Sequence, residues 1–141
     1  MDNGIEGILE TALYVDDLNA AETFYAEVLG LEVILRQEDR HVFFRCGPGV
    51  LLVFNAEHSL IPAGPDMLPV PPHGAHGASH ACFRIAGDRM DAMAARLTTA
   101  GIAIEADFHW PNGARSLYFR DPAGNSLEGA EARLWQIDED S

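Results

Sequence analysis

The sequence predicts an α+β fold made of two paired βαβββ modules. Two observations predict it. The same order of strand-like and helix-like patterns occurs twice, and short stretches of the two copies correspond, such as 30–33 with 101–104 and 43–45 with 118–120. A Pro- and Gly-rich segment separates the copies. We therefore predict a single domain that consists of module 1 at 8–55, a connecting loop at 56–78, module 2 at 79–130 and an acidic, solubilising tail at 131–141.

The first module opens with residues 8–15, where apolar and polar residues alternate as in a strand. Asp17 or Asn19 can cap the helix that follows, and Gly30 ends it. Short apolar runs then predict three further strands, at 31–35, 41–46 and 50–55.

The second module repeats this order, with a strand at 79–85 and a helix at 88–101 that ends at Gly101. Three more strands are predicted at 102–106, 115–121 and 125–130. The tetrapeptide 121–124, Asp-Pro-Ala-Gly, has the residues of a type I turn, so the last two strands form an antiparallel hairpin.

In this hairpin the side chains alternate between two faces. Leu117 and Phe119 point one way, whereas Ser116, Tyr118 and Glu128 share the other face. An acid in this position either meets water or lines a pocket.

The composition excludes several classes of partner. The formal net charge is −13 and the chain contains no lysine, so it repels phosphate backbones and anionic membranes. Residues 1–10 lack the features of a signal peptide. Cys46 and Cys82 are then expected to be reduced thiols in the cytoplasm. We expect a small-molecule substrate, with no nucleic acid and no membrane as partner.

The repeat brings three metal-binding side chains to equivalent positions. It superposes Glu10 on His80 in the opening strands, and Leu52 on Glu128 in the closing strands. Two carboxylates and a neutral imidazole would neutralise a divalent cation. We therefore predict that Glu10, His80 and Glu128 bind Mn²⁺, Zn²⁺, Ni²⁺ or Fe²⁺, among which the spacing does not choose.

Further residues are candidates for substrate binding in the second module. Ser116 and Tyr118 share the face of Glu128 and either contact the substrate or only pack within the hairpin. Arg84 either anchors an anionic substrate or pairs with a surface acid. His73 and His76 lie in a flexible loop, which holds metals poorly.

The repeat also assigns the other half of the cavity. His41 and Phe43 superpose on Ser116 and Tyr118, and Leu52 and Phe54 share one strand face. This half is mostly apolar, which suits an organic substrate.

Three segments together resemble the vicinal oxygen chelate superfamily, namely "ALYVDDLNAAETFYAEVLGLEV", "GASHACFRI" and "RSLYFRDPAGNSLE". This superfamily includes glyoxalases, bleomycin- and fosfomycin-resistance proteins and extradiol dioxygenases. The resemblance implies that each module forms half of an open barrel around a divalent metal. It also implies that the ligands come from the positions of Glu10, Leu52, His80 and Glu128.

The sequence departs from the family pattern at two of these positions. Leu52 cannot bind metal, whereas lactoylglutathione lyases commonly use four protein ligands. Glu10 stands where relatives often have His, which argues against the ring cleavage of extradiol dioxygenases.

The resemblance implies a metal-dependent enzyme that acts on a small oxygen-bearing electrophile by lyase, isomerase or nucleophile-addition chemistry. Glu10 or Glu128 would be the catalytic base. The alternative is a metal-free protein that sequesters a drug or metabolite, as bleomycin-resistance proteins do. The resemblance also implies a homodimer with shared sites, in which Glu10 comes from one subunit and His80 and Glu128 come from its partner. The two modules could instead pair directly within one chain.

Overall fold

The computed structural model describes residues 3–140, so Met1, Asp2 and Ser141, the last residue of the predicted tail, lie outside the description. The chain divides between His76 and Gly77 into two compact units, here called unit 1 and unit 2. Each unit contains one four-stranded sheet. None of the helices within 3–140 is long and apolar enough to cross a membrane.

Unit 1 contains four strands and two helices. They are β1 (Glu10–Val15), α1 (Leu18–Thr23, continued by a π-helical turn at Phe24–Val28), β2 (Glu32–Gln37), β3 (His41–Cys46), β4 (Gly49–Asn55) and α2 (Ala56–Ser59). The strand order in the sheet is β1-β4-β3-β2, with β1 parallel to β4 and the other pairs antiparallel.

Helix α1 begins where the sequence predicts. The Asp17 carboxylate accepts a hydrogen bond from the Ala20 backbone N–H at 3.0 Å, as an N-cap does. The helical segment ends at Gly30, whose φ of +74° lies in the left-handed region that glycine adopts without strain. Tyr25, fully buried, packs on Phe44 of β3 with ring centroids 5.5 Å apart, which fixes the helix against one face of the sheet.

Unit 2 repeats this plan. Its elements are β5 (His80–Arg84), a 3₁₀ turn (Gly87–Arg89), α3 (Met90–Thr99), β6 (Ala106–His109), β7 (Arg115–Arg120), β8 (Ser126–Ala130) and a second 3₁₀ turn (Ala132–Trp135). The order β5-β8-β7-β6 again has a parallel first pair. Helix α3 approaches β8 so closely that a Cβ at Gly129 would lie 3.0 Å from the Met93 sulfur, so a larger residue there would push the Met93 side chain aside by a few tenths of an ångström.

The helix covers one face of each sheet, and we call the opposite face the open face. In unit 2 the covered face carries Leu117, Phe119 and Leu127, all fully buried. Glu128 lies on the open face, directly opposite Tyr118 across the β7–β8 ladder. The alternation predicted for the hairpin is therefore confirmed.

The register confirms the repeat. Leu52 pairs with Phe43 in unit 1 just as Glu128 pairs with Tyr118 in unit 2. The α+β class and the two βαβββ modules are thus confirmed, and neither sheet is closed.

Two predicted boundaries are wrong. The strand expected at 102–106 begins at Ala106 and continues to His109, because its ladder with β7 starts opposite Tyr118. It is an edge strand with a mostly exposed surface, so its sequence resembles that of a loop. The connecting segment, predicted as a loop, begins with helix α2. The Asn55 side chain caps this helix by accepting a hydrogen bond from the His58 N–H.

Candidate active site

The open face of unit 2 brings four predicted site residues together. Strand β7 supplies Ser116 and Tyr118, strand β8 supplies Glu128, and the parallel strand β5 supplies His80. In the β5–β8 ladder Cys82 lies opposite Glu128, and His80 lies opposite Ser126.

Glu128 is buried, with 5% of its surface exposed, and Ser116 beside it is fully buried. Its Oε2 accepts a hydrogen bond of 2.6 Å from the Ser116 hydroxyl, and the Ser116 oxygen accepts one of 2.8 Å from the Trp110 indole N–H. A buried carboxylate needs such donors, since burial without them would favour its protonation.

The imidazole of His80 is oriented by the backbone. Its Nδ1 lies 2.9 Å from the carbonyl oxygen of Ser126, which can only accept, so Nδ1 carries the hydrogen. In the neutral ring Nε2 then has a free lone pair, and it lies 3.4 Å from Oε1 of Glu128. A proton on Nε2, or a cation bound by both atoms, would make this contact attractive.

The charge of Glu128 also acts on its neighbours. Burial, followed by the negative charge of Glu128 and a hydrogen bond to it, raises the pKa of Tyr118 to about 12. The same causes raise the pKa of the Cys82 thiol to about 12, although part of the Cys82 side chain remains exposed. Both groups keep their protons at neutral pH, so Tyr118 is available as a hydrogen-bond donor and Cys82 is a poor nucleophile.

A row of aromatic rings crosses the open face of unit 2. The Tyr118 ring lies between those of His80 and Phe108, at centroid distances of 6.3 and 6.0 Å, and Phe108 contacts Trp110 at 4.8 Å. Neither Phe108 nor Trp110 is among the site residues predicted from the sequence. The strand predicted at 102–106 ends before Phe108 and Trp110, so the strand pattern does not place either residue at the site.

Arg84, a predicted substrate-binding residue, points to the C-terminal segment. Its guanidinium donates hydrogen bonds of 2.6 Å to the carbonyl oxygens of Asp138 and Glu139. The partners are backbone groups, which the sequence analysis did not consider.

In unit 1 the equivalent positions carry different chemistry. Glu10 is the first residue of β1 and is exposed, whereas Leu52 is half-buried in the middle of β4. The open face of unit 1 therefore supplies one carboxylate and no second ligand at the position equivalent to Glu128.

The rest of this face is an aromatic cluster around His41, Phe43 and Phe54. His41 is buried and stacks on Phe43 at 4.1 Å, and both rings meet Phe54 edge-on. Burial, assisted by the Arg40 charge, lowers the pKa of His41, so its ring is neutral at pH 7. These three residues, all predicted to bind substrate, form a largely apolar cluster in which His41 and Phe54 are buried.

The connecting segment contributes His73 to the same cluster. Its Nδ1 lies 2.7 Å from the Tyr14 hydroxyl, and its ring packs edge-on against Phe54 at 4.5 Å. His76 instead lies 3.7 Å from Glu57. Nothing in the sequence of the segment indicates that His73 is held in this way.

A complete set of metal ligands is not formed within the described chain. Among residues 3–140, no three His, Cys, Asp or Glu side chains are grouped so that they could hold an ion. His80 and Glu128 are a pair in unit 2, and Glu10 belongs to unit 1.

Comparison with known proteins agrees with this architecture. A model of the Glyoxalase/Bleomycin resistance protein/Dioxygenase superfamily matches residues 7–128. The crystal structure of lactoylglutathione lyase from Agrobacterium tumefaciens is 43% identical and has a TM-score of 0.89, covering 94% of this chain and 98% of its own.

Two more distant structures share the fold. A glyoxalase/bleomycin resistance protein/dioxygenase from Nocardioides is 21% identical with a TM-score of 0.68, over 90% of this chain and 83% of its own. A virulence protein from Salmonella typhimurium is 24% identical with a TM-score of 0.66, over 90% and 97%. The family match spans both βαβββ modules, and the chain therefore belongs to the glyoxalase/bleomycin resistance protein/dioxygenase superfamily.

Proposed function

We propose that the protein is a metal-dependent enzyme that acts on a small oxygen-bearing electrophile by lyase, isomerase or nucleophile-addition chemistry. One observation carries the proposal. The Nε2 lone pair of His80 faces a carboxylate oxygen of Glu128 at 3.4 Å, while a backbone carbonyl holds the other ring nitrogen. Histidines that bind metals are commonly oriented by such a carbonyl.

The available donors fit a divalent ion. His80 and Glu128 would hold it, with Glu10 as the third ligand, and the mixture of imidazole and carboxylates suits Mn²⁺, Zn²⁺, Ni²⁺ or Fe²⁺. The likeness to a lactoylglutathione lyase supports lyase or isomerase chemistry. Lactoylglutathione lyases commonly use four protein ligands, and Leu52 occupies one of these positions here. The substrate or water would therefore be the fourth ligand.

When bound, the metal would act as a Lewis acid that polarises a substrate oxygen. Glu10 or Glu128 would accept a proton from the substrate. The Tyr118 hydroxyl, which keeps its proton at neutral pH, would have to turn its single hydrogen from Glu128 to a developing oxyanion, while Ser116 would still orient Glu128.

The apolar part of the substrate would lie on the aromatic surface of unit 1. Phe43 and Leu52, which are half-buried, would contact a hydrophobic group, whereas His41 and Phe54 are buried and lie beside the Arg40 guanidinium, 5.5 Å from the Phe54 ring centroid. Arg84 could reach an anionic substrate only after releasing the carbonyl oxygens of the C-terminal segment.

A metal-free binding protein for a drug or metabolite is the second candidate. The aromatic cluster favours it, as does the finding that His80 and Glu128 form only a pair within residues 3–140. On this hypothesis a proton between Nε2 and Oε1 replaces the metal.

We further propose a homodimer whose sites combine Glu10 of one subunit with His80 and Glu128 of the other. Strand β2 lies at the edge of its sheet and exposes three consecutive apolar residues, Val33, Ile34 and Leu35. Exposed apolar edge strands are commonly covered by a partner.

Metal analysis tests the proposal. Protein purified without chelator should contain a transition metal in near-stoichiometric amount, and the metal-depleted protein should be stabilised by Mn²⁺, Ni²⁺ or Zn²⁺. At a free metal concentration 100-fold above Kd this stabilisation is about 2.7 kcal/mol. Absence of bound metal together with an unchanged Tm in all three ions would favour the metal-free binding protein.

A further inference from the structure

The loop between β6 and β7 holds an indole beside the candidate site. Trp110 follows β6 directly, and backbone hydrogen bonds of 2.8 Å join its N–H to the Ala114 carbonyl and its carbonyl to the Gly113 N–H. Its ring contacts Phe108 at a centroid distance of 4.8 Å. The loop and the ring contact therefore fix the indole, whose N–H points at Ser116.

The three polar groups in this line have only one possible direction of donation. The indole N–H can only donate, and it lies 2.8 Å from the Ser116 oxygen. The hydroxyl has a single hydrogen, and the Ser116 oxygen lies 2.6 Å from Oε2 of Glu128. Ser116 is fully buried, so solvent does not compete for its hydroxyl. The hydrogen bonds therefore run from Trp110 through Ser116 to Glu128.

This direction makes the two oxygens of Glu128 unequal. Oε2 is occupied by the serine hydroxyl, whereas Oε1 faces Nε2 of His80. Without the indole N–H, the Ser116 hydroxyl would lose one of its two contacts, and Oε2 of Glu128 would be left with a donor whose position is less tightly fixed, although Tyr118 and Cys82 still hydrogen-bond to Glu128.

We propose that Trp110 is a positioning residue that, through Ser116, determines which oxygen of Glu128 is presented to a divalent metal ion. The inference rests on the proposed metal-dependent function and adds to it a residue outside the ligand set. It also accounts for a tryptophan in a loop that otherwise serves only to connect two strands.

The test compares two matched tryptophan substitutions. Trp110→Phe removes the indole N–H and keeps an aromatic ring, and Trp135→Phe alters the only other tryptophan, which is 76% exposed. Titration calorimetry with Ni²⁺ should show about 10-fold weaker binding for Trp110→Phe and no change for Trp135→Phe. A loss of about 10-fold is the lower end of the usual effect of removing a residue that positions a metal ligand. Ser116→Ala should weaken binding at least as much, and adding Trp110→Phe to it should have little further effect, because both act through one contact.

A second measurement does not require metal. In the Trp135→Phe protein only Trp110 gives an indole N–H signal in the NMR spectrum, and Glu128→Gln should shift this signal upfield because a neutral amide polarises Ser116 less than a carboxylate does. Ni²⁺ binding of equal strength in Trp110→Phe and Trp135→Phe would overturn the inference while leaving the proposed function intact. An indole N–H chemical shift that is unchanged by Glu128→Gln would overturn it in the same way. If neither Trp135→Phe nor the unmodified protein binds Ni²⁺, Mn²⁺ or Zn²⁺, the proposed function fails and the role of Trp110 with it.

Discussion

Glu128 has a separate task for each of its two oxygens. One accepts the Ser116 hydroxyl at 2.6 Å, and the other faces the imidazole of His80 at 3.4 Å. The residue is nearly inaccessible to solvent, so its charge is stabilised by directed donors rather than by water. An acid held in this way contributes to structure, and a substitution that tests its proposed metal binding must preserve that contribution.

Glu128→Gln should therefore remove metal binding and leave the fold intact. The amide keeps the volume and an oxygen that can accept from Ser116, but it lacks the charge that a divalent cation requires. We expect the affinity for Ni²⁺ to fall by at least about 100-fold, beyond the effect of an outer contact, as measured by titration calorimetry. The control is Glu105→Gln, which alters an exposed carboxylate in a surface salt bridge with Arg120 and should leave the affinity unchanged.

Glu128→Ala is a less informative probe. The sequence alone suggests that an acid on a pocket wall adds little to stability, but the buried serine hydroxyl would lose its acceptor, at a cost of about 1–3 kcal/mol. Metal affinity that persists in the glutamine variant would show that Glu128 is a structural acid and not a ligand.

At the scale of elements, the β7–β8 turn determines where β5 and β8 meet. Asp121 accepts hydrogen bonds from the backbone N–H groups of Ala123 and Asn125 and from the Asn125 side chain. Asn125 in turn accepts from the N–H of Ser79, the residue before β5. This network sets the register that places His80 opposite Ser126.

Asp121→Ala should destabilise the protein by about 2–3 kcal/mol, because several donors in a buried turn lose their acceptor together. The loss should appear in urea unfolding followed by circular dichroism. Asp66→Ala, in the exposed part of the connecting segment, serves as the control and should change the free energy of unfolding by less than about 0.5 kcal/mol. Equal stability of the two variants would mean that the strands find their register without the turn.

The end of β8 is secured by a carboxylate with a pH-dependent contribution. Burial would raise the pKa of Glu131, but the Arg115 N–H at 2.6 Å and the Arg133 guanidinium outweigh it, and the pKa is lowered from 4.5. A lowered pKa in the folded state gives stability that is present above the unfolded pKa and is lost as the pH falls through the folded value.

Glu131→Gln should therefore lower the free energy of unfolding by about 1–3 kcal/mol at pH 7, and the difference from the unmodified protein should shrink as the pH falls below the ordinary pKa of 4.5 and through the lowered pKa of the folded state. Urea unfolding at a series of pH values from 7 to 3 measures this. Glu38→Gln, an exposed carboxylate, should give no comparable effect. A difference that is constant with pH would assign the loss to packing rather than to charge.

At the scale of the whole molecule, the repeat made most of the fold predictable. A period that is seen twice identifies each strand by its counterpart and makes His80 equivalent to Glu10, while strand alternation gives the shared face of Ser116, Tyr118 and Glu128. The roles of Phe108 and Trp110 did not, because an exposed edge strand lacks an apolar pattern. The position of His73 depends on a contact with Tyr14, 59 residues away in the sequence, and no local signal reports it.

The proposed homodimer predicts recovery in mixed subunits. Glu10→Ala and Glu128→Gln proteins should each bind Ni²⁺ poorly, but after subunit exchange a mixed dimer has one site with all ligands and one with neither acid. Random exchange at equal concentrations gives half mixed dimers, so about a quarter of the original sites should return. No recovery despite exchange demonstrated by mass spectrometry would mean that each chain completes its own site.

The central claim, that His80 and Glu128 are metal ligands, is tested most directly by anomalous X-ray scattering from crystals grown with Zn²⁺ and measured on both sides of the zinc absorption edge. If both residues bind the metal, we expect an anomalous peak about 2.0–2.2 Å from Nε2 of His80 and from Oε1 of Glu128. Ser116 should still donate a hydrogen bond to Oε2 of Glu128. A map without a peak at this position, in which Nε2 and Oε1 share a direct hydrogen bond, would contradict it.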